Sequence, residues 1–262
     1  MAESRNQCHD ILSEQDSNEV TGLTRPVVCV VIPTLNESGT IGALIESLER
    51  LGDFCQIRIV IVDDGSTDGT IETVRESNEK HGNLTLIERG RRMGLGTAIR
   101  DGLRAALDQE PTPNFVVTMD ADLSHDPNEL PRLVEACGKD SIVVGSRYVE
   151  GGEIHGWGLY RMTMSWGANF IARALTGVPV RDCSSGFRCY GSDLMSVLLP
   201  DLKSTGYDIQ IEILSKAVRR GFKITEKPMT FRDRAAGESK LRYGDMLNFV
   251  KRVFALFLEN SE

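Results

Sequence analysis

The chain lacks paired cysteines. Its six (Cys8, Cys29, Cys55, Cys137, Cys183, Cys189) are scattered without a CxxC spacing, which excludes a small disulfide scaffold and a zinc finger. Thiols spread in this way are expected to be buried and inert in a reduced, cytosolic setting. The four histidines form no metal-ligand spacing either. No run of about 18 uncharged apolar residues occurs, so no spanning helix is expected. Residues 1–24 are polar and acidic, without the charged start, apolar middle and cleavage site of a signal peptide. Two nucleotide signatures are missing as well. A dinucleotide fold carries GxGxxG after its first strand, and a phosphate-cradling loop carries GxxxxGK[ST]. Here the first strand runs into PTLNE, and Gly94-Leu95-Gly96 is followed by Ile99 where the third glycine belongs, so it reads as a helix-start loop.

What is present is enough apolar material for a large core: 262 residues, 40% hydrophobic. The expected organisation is a polar, disordered N-terminus over 1–25, a single folded domain over 26–242, and an amphipathic helix and tail over 243–262. The net charge of -8 hides an asymmetry. Residues 1–146 hold 13 Lys and Arg against 25 Asp and Glu, whereas residues 147–252 hold 17 against 11. The second half fits either a landing surface for anions or, as composition alone favours, a solvated charged face.

Short β-rich runs alternate with helical patterns. The periodicities predict strands at 27–32, 57–62, 84–87, 115–119 and 141–144, and helices at 38–51, 70–80, 97–109 and 128–137. This rhythm makes βαβ units, hence an α/β fold with a mostly parallel sheet and helices on both faces. Ligands in such sheets bind at the carboxyl ends of the strands.

Three of those ends are loaded with polar residues: PTLNE (33–37), DDGSTDGT (63–70) and DADLSH (120–125). Alone, Asn36, Ser38, Asp68 or Ser124 would pass for a turn former or a helix cap. Together on one edge they point to a site. Asp120 and Asp122 stand one residue apart, and like charges held so close are costly unless a cation or a hydrogen-bond network absorbs them. In an extended segment both face the same way. Mg²⁺ or Mn²⁺ keeps several waters and needs only one or two carboxylates, which suits the pair.

PTLNE, DDGSTDGT and DADLSH, followed by GSRY (145–148), Arg161 with Ser165 and GANF, SSGFR (184–188), GYDIQIE (206–212) and FRDRAAGESKL (231–241), resemble in order and spacing the inverting family 2 glycosyltransferases of the GT-A fold. Within them the series is most similar to the polyprenyl-phosphate mannosyltransferases, the dolichyl-phosphate mannose synthases, over roughly 27–258. The resemblance implies transfer of mannose from GDP-mannose to dolichyl or polyprenyl phosphate, for use in glycosylation, with Mg²⁺ or Mn²⁺ held by Asp120 and Asp122. It implies a nucleotide-sugar site of Pro33, Leu35, Glu37, Val62, Asp64, Asp120, Ala121, Asp122, Gln210, Arg234 and Lys240. Asp122, Arg234 and Lys240 would be catalytic, with Ser239 closing beside the last two on a loop hinged at Gly237. Arg147, Arg161 and Ser165 match the acceptor-phosphate residues, while Asp182 and the SSGFR turn would shape the sugar and acceptor side, and Glu212 would lie near the sugar with Gln210. Leu35 stands where many relatives have tyrosine, and Ser124 where some have a glutamine that touches the metal.

The resemblance also implies peripheral attachment to the cytoplasmic face of a membrane, possible need for a small membrane-embedded subunit, and no nucleic acid partner. Residues 160–175, with Trp157 just before, and residues 243–258 are the two apolar helical stretches that fit either a core or a headgroup interface. UDP-glucose or other UDP-sugar lipid-phosphate glycosyltransferases share these motifs. Two other classes are a phosphatase of the haloacid-dehalogenase type, whose DxDx[ST] nucleophile loop belongs on a first strand rather than a fourth, and a non-catalytic sugar-nucleotide binding module.

Overall fold

The computed structural model describes residues 25–233. Residues 1–24 and 234–262, and with them the expected N-terminus, Arg234, Gly237, Ser239, Lys240 and the helix at 243–258, lie outside the described residues. The first half alternates as expected: β1 (Val27–Thr34), α1 (Ile41–Glu49), β2 (Gln56–Asp63), α2 (Thr70–His81), β3 (Leu84–Glu88), α3 (Leu95–Leu107), β4 (Phe115–Thr118), α4 (Leu130–Glu135) and β5 (Ser141–Ser146). Two helices start later than the periodicity predicts. Asn36 takes a left-handed φ of 55°, and the Glu37 carbonyl accepts from the amides of Thr40 and Ile41, so the chain turns before α1 begins. Ahead of α4, Pro127–Glu129 forms a single 3₁₀ turn whose start is capped by the Asp126 carboxylate, accepting from the Asn128 amide at 3.0 Å.

The second half adds β6 (Glu153–His155), α5 (Leu159–Thr176), β7 (Arg188–Gly191), α6 (Ser192–Leu198), α7 (Ile209–Arg219), β8 (Lys223–Pro228) and β9 (Thr230–Arg232). The main sheet runs β3-β2-β1-β4-β7-β5-β8, with β6 and β9 paired separately. Its neighbours are parallel except at β7, which runs antiparallel to both β4 and β5. The segment 184–188, read from sequence as a turn, thus ends by opening a central strand.

Alternation along the buried strands feeds two cores. Val28, Val30 and Ile32 of β1 pack with Ile41 and Leu44 of α1, Val74 of α2 and Leu133 of α4. On the opposite face, Cys29 and Val31 pack with Ala98, Ile99 and Leu103 of α3, Leu194 of α6 and Ile213 of α7. This two-sided burial explains why the strands read as continuous apolar runs. Helix α3 comes so close that a Cβ on Gly102 would sit 2.3 Å from Val31 Cγ1. The GxG that begins α3 serves the same end: the Gly96 amide donates to the Thr205 carbonyl at 2.9 Å, and a Cβ on Gly96 would lie 2.6 Å from the Ser204 carbonyl oxygen. The five described cysteines are free and buried, and burial pushes the thiols of Cys29 and Cys183 up to about 12.

Because β2, β1 and β4 are adjacent and parallel, the three polar segments that follow them share one edge of the sheet. Helix α5 joins the second of the two cores only along one edge, through Ala172 and Leu175. It buries a narrow stripe of Asn169, Ala172 and Thr176 and leaves Leu159, Tyr160, Trp166, Phe170 and Ile171 exposed among the described residues. Trp166 and Phe170 stack on each other with centroids 5.8 Å apart. No helix among the described residues is long and apolar enough to cross a membrane.

Candidate active site

The floor of the site is a hydrogen-bonded clasp between the ends of β1 and β2. Asp63, fully buried, accepts from the Thr34 hydroxyl at 2.8 Å and from the amides of Gly65 and Ser66 at 2.9 and 2.7 Å. Across the gap, Asn36 Oδ1 accepts from the Thr67 amide, the Ser38 amide donates to Asp68, and the Glu37 amide donates to the Thr70 hydroxyl. Burial opposes the charge on Asp68, but donors from Thr70 and Ser38 outweigh it and bring the carboxyl down to about 2. Of the two roles considered for Asn36 and Asp68 the structure gives the turn and not the cap, since neither α1 nor α2 has a side-chain cap; Asn36 has a left-handed φ, Asp68 accepts from the Thr70 amide, and both lock the two loops together.

That clasp presents the nucleoside residues named from the sequence. Pro33 pairs with Val62 in the strand register, and the ladder continues where the Asp64 amide donates to the Thr34 carbonyl at 3.0 Å. Leu35 and Glu37 are half-buried beside them. Asp64 is already engaged: it forms a buried ion pair with Arg89 and accepts from the Met93 and Gly94 amides. The structure thus gives Asp64 the work of tying the start of α3 to the β2 end. Arg89, held also by Thr97 and Asp101, had no signal in the sequence beyond its place in an arginine-rich turn.

Asp120 and Asp122 stand at the end of β4, but not on an extended strand. β4 stops at Thr118, Ala121 and Asp122 form a turn, and Leu123 takes a left-handed φ of 60°. The orientation of the two carboxylates is therefore set by this turn and not by strand alternation. Asp122 is 7% exposed and accepts from the Ser124 amide at 3.0 Å, whereas the Asp120 side chain is 41% exposed. Ala121 is buried between them. Ser124 Oγ is buried with no hydrogen-bond partner among the described residues. No cluster of three or more His, Cys, Asp or Glu suited to a metal exists among the described residues. Two carboxylates of unequal exposure at an open strand end fit a hard cation that takes its other ligands from water and a ligand's own oxygens.

Near this rim the second half supplies cations, Arg147 lying close enough to Asp120 for the two charges to interact. The Arg147 guanidinium is clamped by Asp182: Nε donates to Oδ2 and Nη2 to Oδ1, both at 2.7 Å, and Nη2 also donates to Ser184 Oγ at 2.8 Å. Asp182 is fully buried and Arg147 is 8% exposed. Burial opposes both charges, yet each partner wins for the other. The Asp182 carboxyl is held below its ordinary value by Arg147, and Arg147 is held above its own by Asp182, with smaller contributions from Tyr148 and Asp120. Arg161 lies nearer the surface, where Nη1 donates to both oxygens of Asp233 at 3.0 and 3.1 Å.

Trp157 joins the two arginines. The guanidinium carbons of Arg147 and Arg161 lie 5.1 and 4.2 Å from its ring centroid, so one indole takes two cation–π contacts. Phe231 packs on the same indole edge-on at 5.2 Å. Of the two settings left open for Trp157, core or headgroup interface, the structure gives the inner one, where it packs against a buried cluster beside both arginines. Ser165 is brought in through Tyr148, whose hydroxyl donates to Ser165 Oγ at 2.8 Å. Asn169 fastens α5 to the 184 loop, donating to the Ser165 carbonyl and accepting from the Ser184 amide. Arg147, Arg161 and Ser165 thus form one neighbourhood, while Tyr148, Trp157, Asn169 and Asp233 are the members whose roles sequence did not assign.

The segment 206–212 divides. Gln210 is buried, with Oε1 lacking a partner among the described residues, and its carbonyl accepts from the fully buried Arg188 at 2.6 Å. Glu212, expected near the sugar, is fully buried and accepts from the amides of Lys203 and Ser204 at 2.7 to 3.0 Å. It caps the loop before α7, because helix periodicity turns position 212 away from the face carrying 210.

With Asp120 and Asp122 at a strand end and Arg147 near enough to Asp120 for their charges to interact, the chain can be set beside known proteins to which it is similar. Residues 29–198 match the family described as Glycosyl transferase family 2. An undecaprenyl-phosphate mannosyltransferase of Micrococcus luteus is 36% identical over 83% of this chain and 88% of its own length. A polyprenol monophosphomannose synthase of Mycolicibacterium smegmatis is 35% identical over 87% of this chain and 86% of its own. Among solved structures, glucosyl-3-phosphoglycerate synthase of Mycobacterium tuberculosis, in complex with Mn²⁺, UDP-glucose and phosphoglyceric acid, aligns with a TM-score of 0.64 at 22% identity, covering 89% of this chain and 79% of that one; at that identity the likeness bears on the fold alone. The chain belongs to glycosyl transferase family 2, and it is a glycosyltransferase built on the GT-A sheet.

Proposed function

We propose that this enzyme transfers mannose from GDP-mannose to dolichyl or another polyprenyl phosphate with inversion at the sugar. The observation that carries the reading is the pair of relatives named for polyprenyl-phosphate mannosyl transfer, each about one-third identical across more than four-fifths of this chain. The geometry supports it. Pro33, Leu35, Glu37 and Val62 would receive the nucleoside, with Asp64 and Arg89 bracing that pocket. Asp120 and Asp122 would hold Mg²⁺ or Mn²⁺, which when bound offsets the charge that develops on the diphosphate leaving group. Ala121 and Gln210 would border the sugar, and Arg234 and Lys240 would close over the diphosphate.

Lipid phosphate has a second pKa of roughly 6, so near neutrality it is a dianion and needs no general base. One of its oxygens attacks C1 of the sugar, the bond from C1 to the donor's phosphate oxygen breaks with its electron pair leaving on GDP, and no proton moves. What the protein supplies is orientation and positive charge. Arg161, which retains access to solvent, meets the phosphate with Ser165 beside it, and Arg147 contributes from behind, its own charge matched by Asp182. Peripheral membrane contact follows from the acceptor, and the exposed Tyr160, Trp166, Phe170 and Ile171 of α5 form the surface that would enter the headgroup layer, alone or beside a small membrane-embedded subunit.

The test is to incubate purified protein with Mn²⁺, a short polyprenyl phosphate, and GDP-mannose, UDP-glucose or UDP-N-acetylglucosamine in parallel. Lipid-linked mannose from GDP-mannose alone is the expected product, and Asp122→Ala should abolish it with the fold intact. Glycolipid made only from a UDP-sugar would overturn the donor assignment. Nucleotide binding without a glycolipid product would overturn the reaction.

A further inference from the structure

We propose that Trp157 is a positioning residue for Arg161, offering the ring face on which that guanidinium rests while it meets the acceptor phosphate; the inference rests on the reading of Arg161 as an acceptor ligand. Arg161 needs such support. It stands in the first turn of α5, whose buried residues, Asn169, Ala172 and Thr176, begin roughly two turns further on. Its side chain is 39% exposed, and a long side chain at a surface keeps many rotamers unless neighbours remove them. Two neighbours do. Nη1 donates to both oxygens of Asp233, and the guanidinium carbon lies over the Trp157 ring, 4.2 Å from its centroid. Nε and Nη2 have no hydrogen-bond partner among the described residues, which leaves them for a phosphate.

Both supports are themselves fixed. The Asp233 amide donates to the His155 carbonyl at 2.9 Å, and a Cβ on Gly156, which takes a left-handed φ of 89°, would stand 2.8 Å from Asp233 Cβ. Trp157 follows that glycine directly, so the turn that admits Asp233 also delivers the indole. The ring packs edge-on against Phe231 and against the buried cluster to which Phe231 belongs. Its Nε1 is buried with no partner among the described residues, and burying an unpaired N–H is unfavourable. Packing alone would thus favour a phenyl ring here, whereas indole is the aromatic that holds a cation best. Arg147 touches the same indole at 5.1 Å but is already fixed by Asp182 and Ser184. The guanidinium for which Trp157 matters is therefore that of Arg161.

The experiment titrates farnesyl phosphate into the full chain by calorimetry in the presence of GDP and Mn²⁺, with GDP affinity and thermal melting measured alongside. The unaltered protein, Trp157→Leu, Arg161→Met and the double variant form a cycle, and Trp157→Phe, with a smaller ring, is the conservative change. We expect farnesyl phosphate to bind about 5- to 20-fold more weakly in Trp157→Leu and about two- to three-fold more weakly in Trp157→Phe, with GDP affinity unchanged in both. Arg161→Met should weaken it by at least about 10-fold. In that background Trp157→Leu should add less than about two-fold, because a residue acting through Arg161 has nothing left to hold. An indole that touches the lipid chain, or that only packs, gives the same fold-loss in both backgrounds and overturns the proposal. So does an unchanged farnesyl phosphate affinity in Trp157→Leu, or an equal fall in GDP affinity. If the Leu variant does not fold, Trp157→Met, which has no ring but adapts to fill the space, completes the same cycle with the same expected outcomes. An Arg161→Met variant with unaltered affinity, or an unaltered protein that binds no farnesyl phosphate, would remove the acceptor reading of Arg161 itself, whereas a loss in Arg161→Met with normal binding in Trp157→Leu removes only the role of Trp157.

Discussion

Replacing Asp182 by asparagine separates the structural and catalytic meanings of Arg147. The carboxylate accepts four hydrogen bonds: from the Arg147 amide at 3.0 Å, from Nε and Nη2 at 2.7 Å each, and from Ser184 Oγ at 3.2 Å. Asparagine is the same size, but its NH₂ must face one set of these donors, and the guanidinium is left buried without an opposing charge. Removing one partner of a buried, well-bonded pair costs about 3–5 kcal/mol. For a domain of this size that is a fall in Tm of about 6–20 °C, read by thermal melting and by the urea midpoint. Arg147→Met with Asp182→Leu, which removes both charges, should cost less than either single change. The pH dependence has a definite sign. The Asp182 carboxyl is depressed in the folded state, so its contribution is present above the ordinary aspartate value of about 4 and is lost as pH falls below it. The acid limb of the stability curve should accordingly be shallower in the Asn variant. A Tm within about 2 °C of the unaltered protein would refute the claim that this pair fastens the end of β5 to the 182–184 loop, because about 3 kcal/mol cannot hide in so small a shift.

Two further outcomes follow from other parts of the fold. Gly96→Ala places a methyl 2.6 Å from the Ser204 carbonyl oxygen and should cost about 1–3 kcal/mol by overpacking; an unchanged urea midpoint would show that the 204–206 loop yields freely. Trp166 and Phe170 are 64% and 58% exposed. If half of a ring's roughly 200 Å² enters lipid, each contributes about 2.5 kcal/mol, so Trp166→Ala should weaken co-sedimentation with anionic vesicles by roughly 50- to 100-fold, and unaltered co-sedimentation would remove α5 from the membrane surface.

The alternation of strand and helix in the first half was legible because each element carries its own period and each turn its own chemistry. The polar segments at 33–37, 63–70 and 120–125 were legible for the same reason, and the parallel order of β2, β1 and β4 then had to put them on one edge. In the second half the helical stretch at 160–175 was legible and is α5, but the short strands were not. β7 is four residues long, runs against its neighbours and owes its place to pairing with β4 and β5, which are far away in the chain.

Residue type and order therefore determined by themselves that the chain has two apolar faces around a sheet, acidic groups at its strand ends, and arginines enough for an anion. Only the tertiary structure decided which of those groups are spent on one another. Asp64 meets Arg89, Arg147 meets Asp182, Glu212 meets a loop, and Trp157 packs against two guanidiniums. The physical reason is that a buried charge must find its partner wherever the fold brings one within reach, and a partner 25 or 35 residues away leaves no mark on the local pattern.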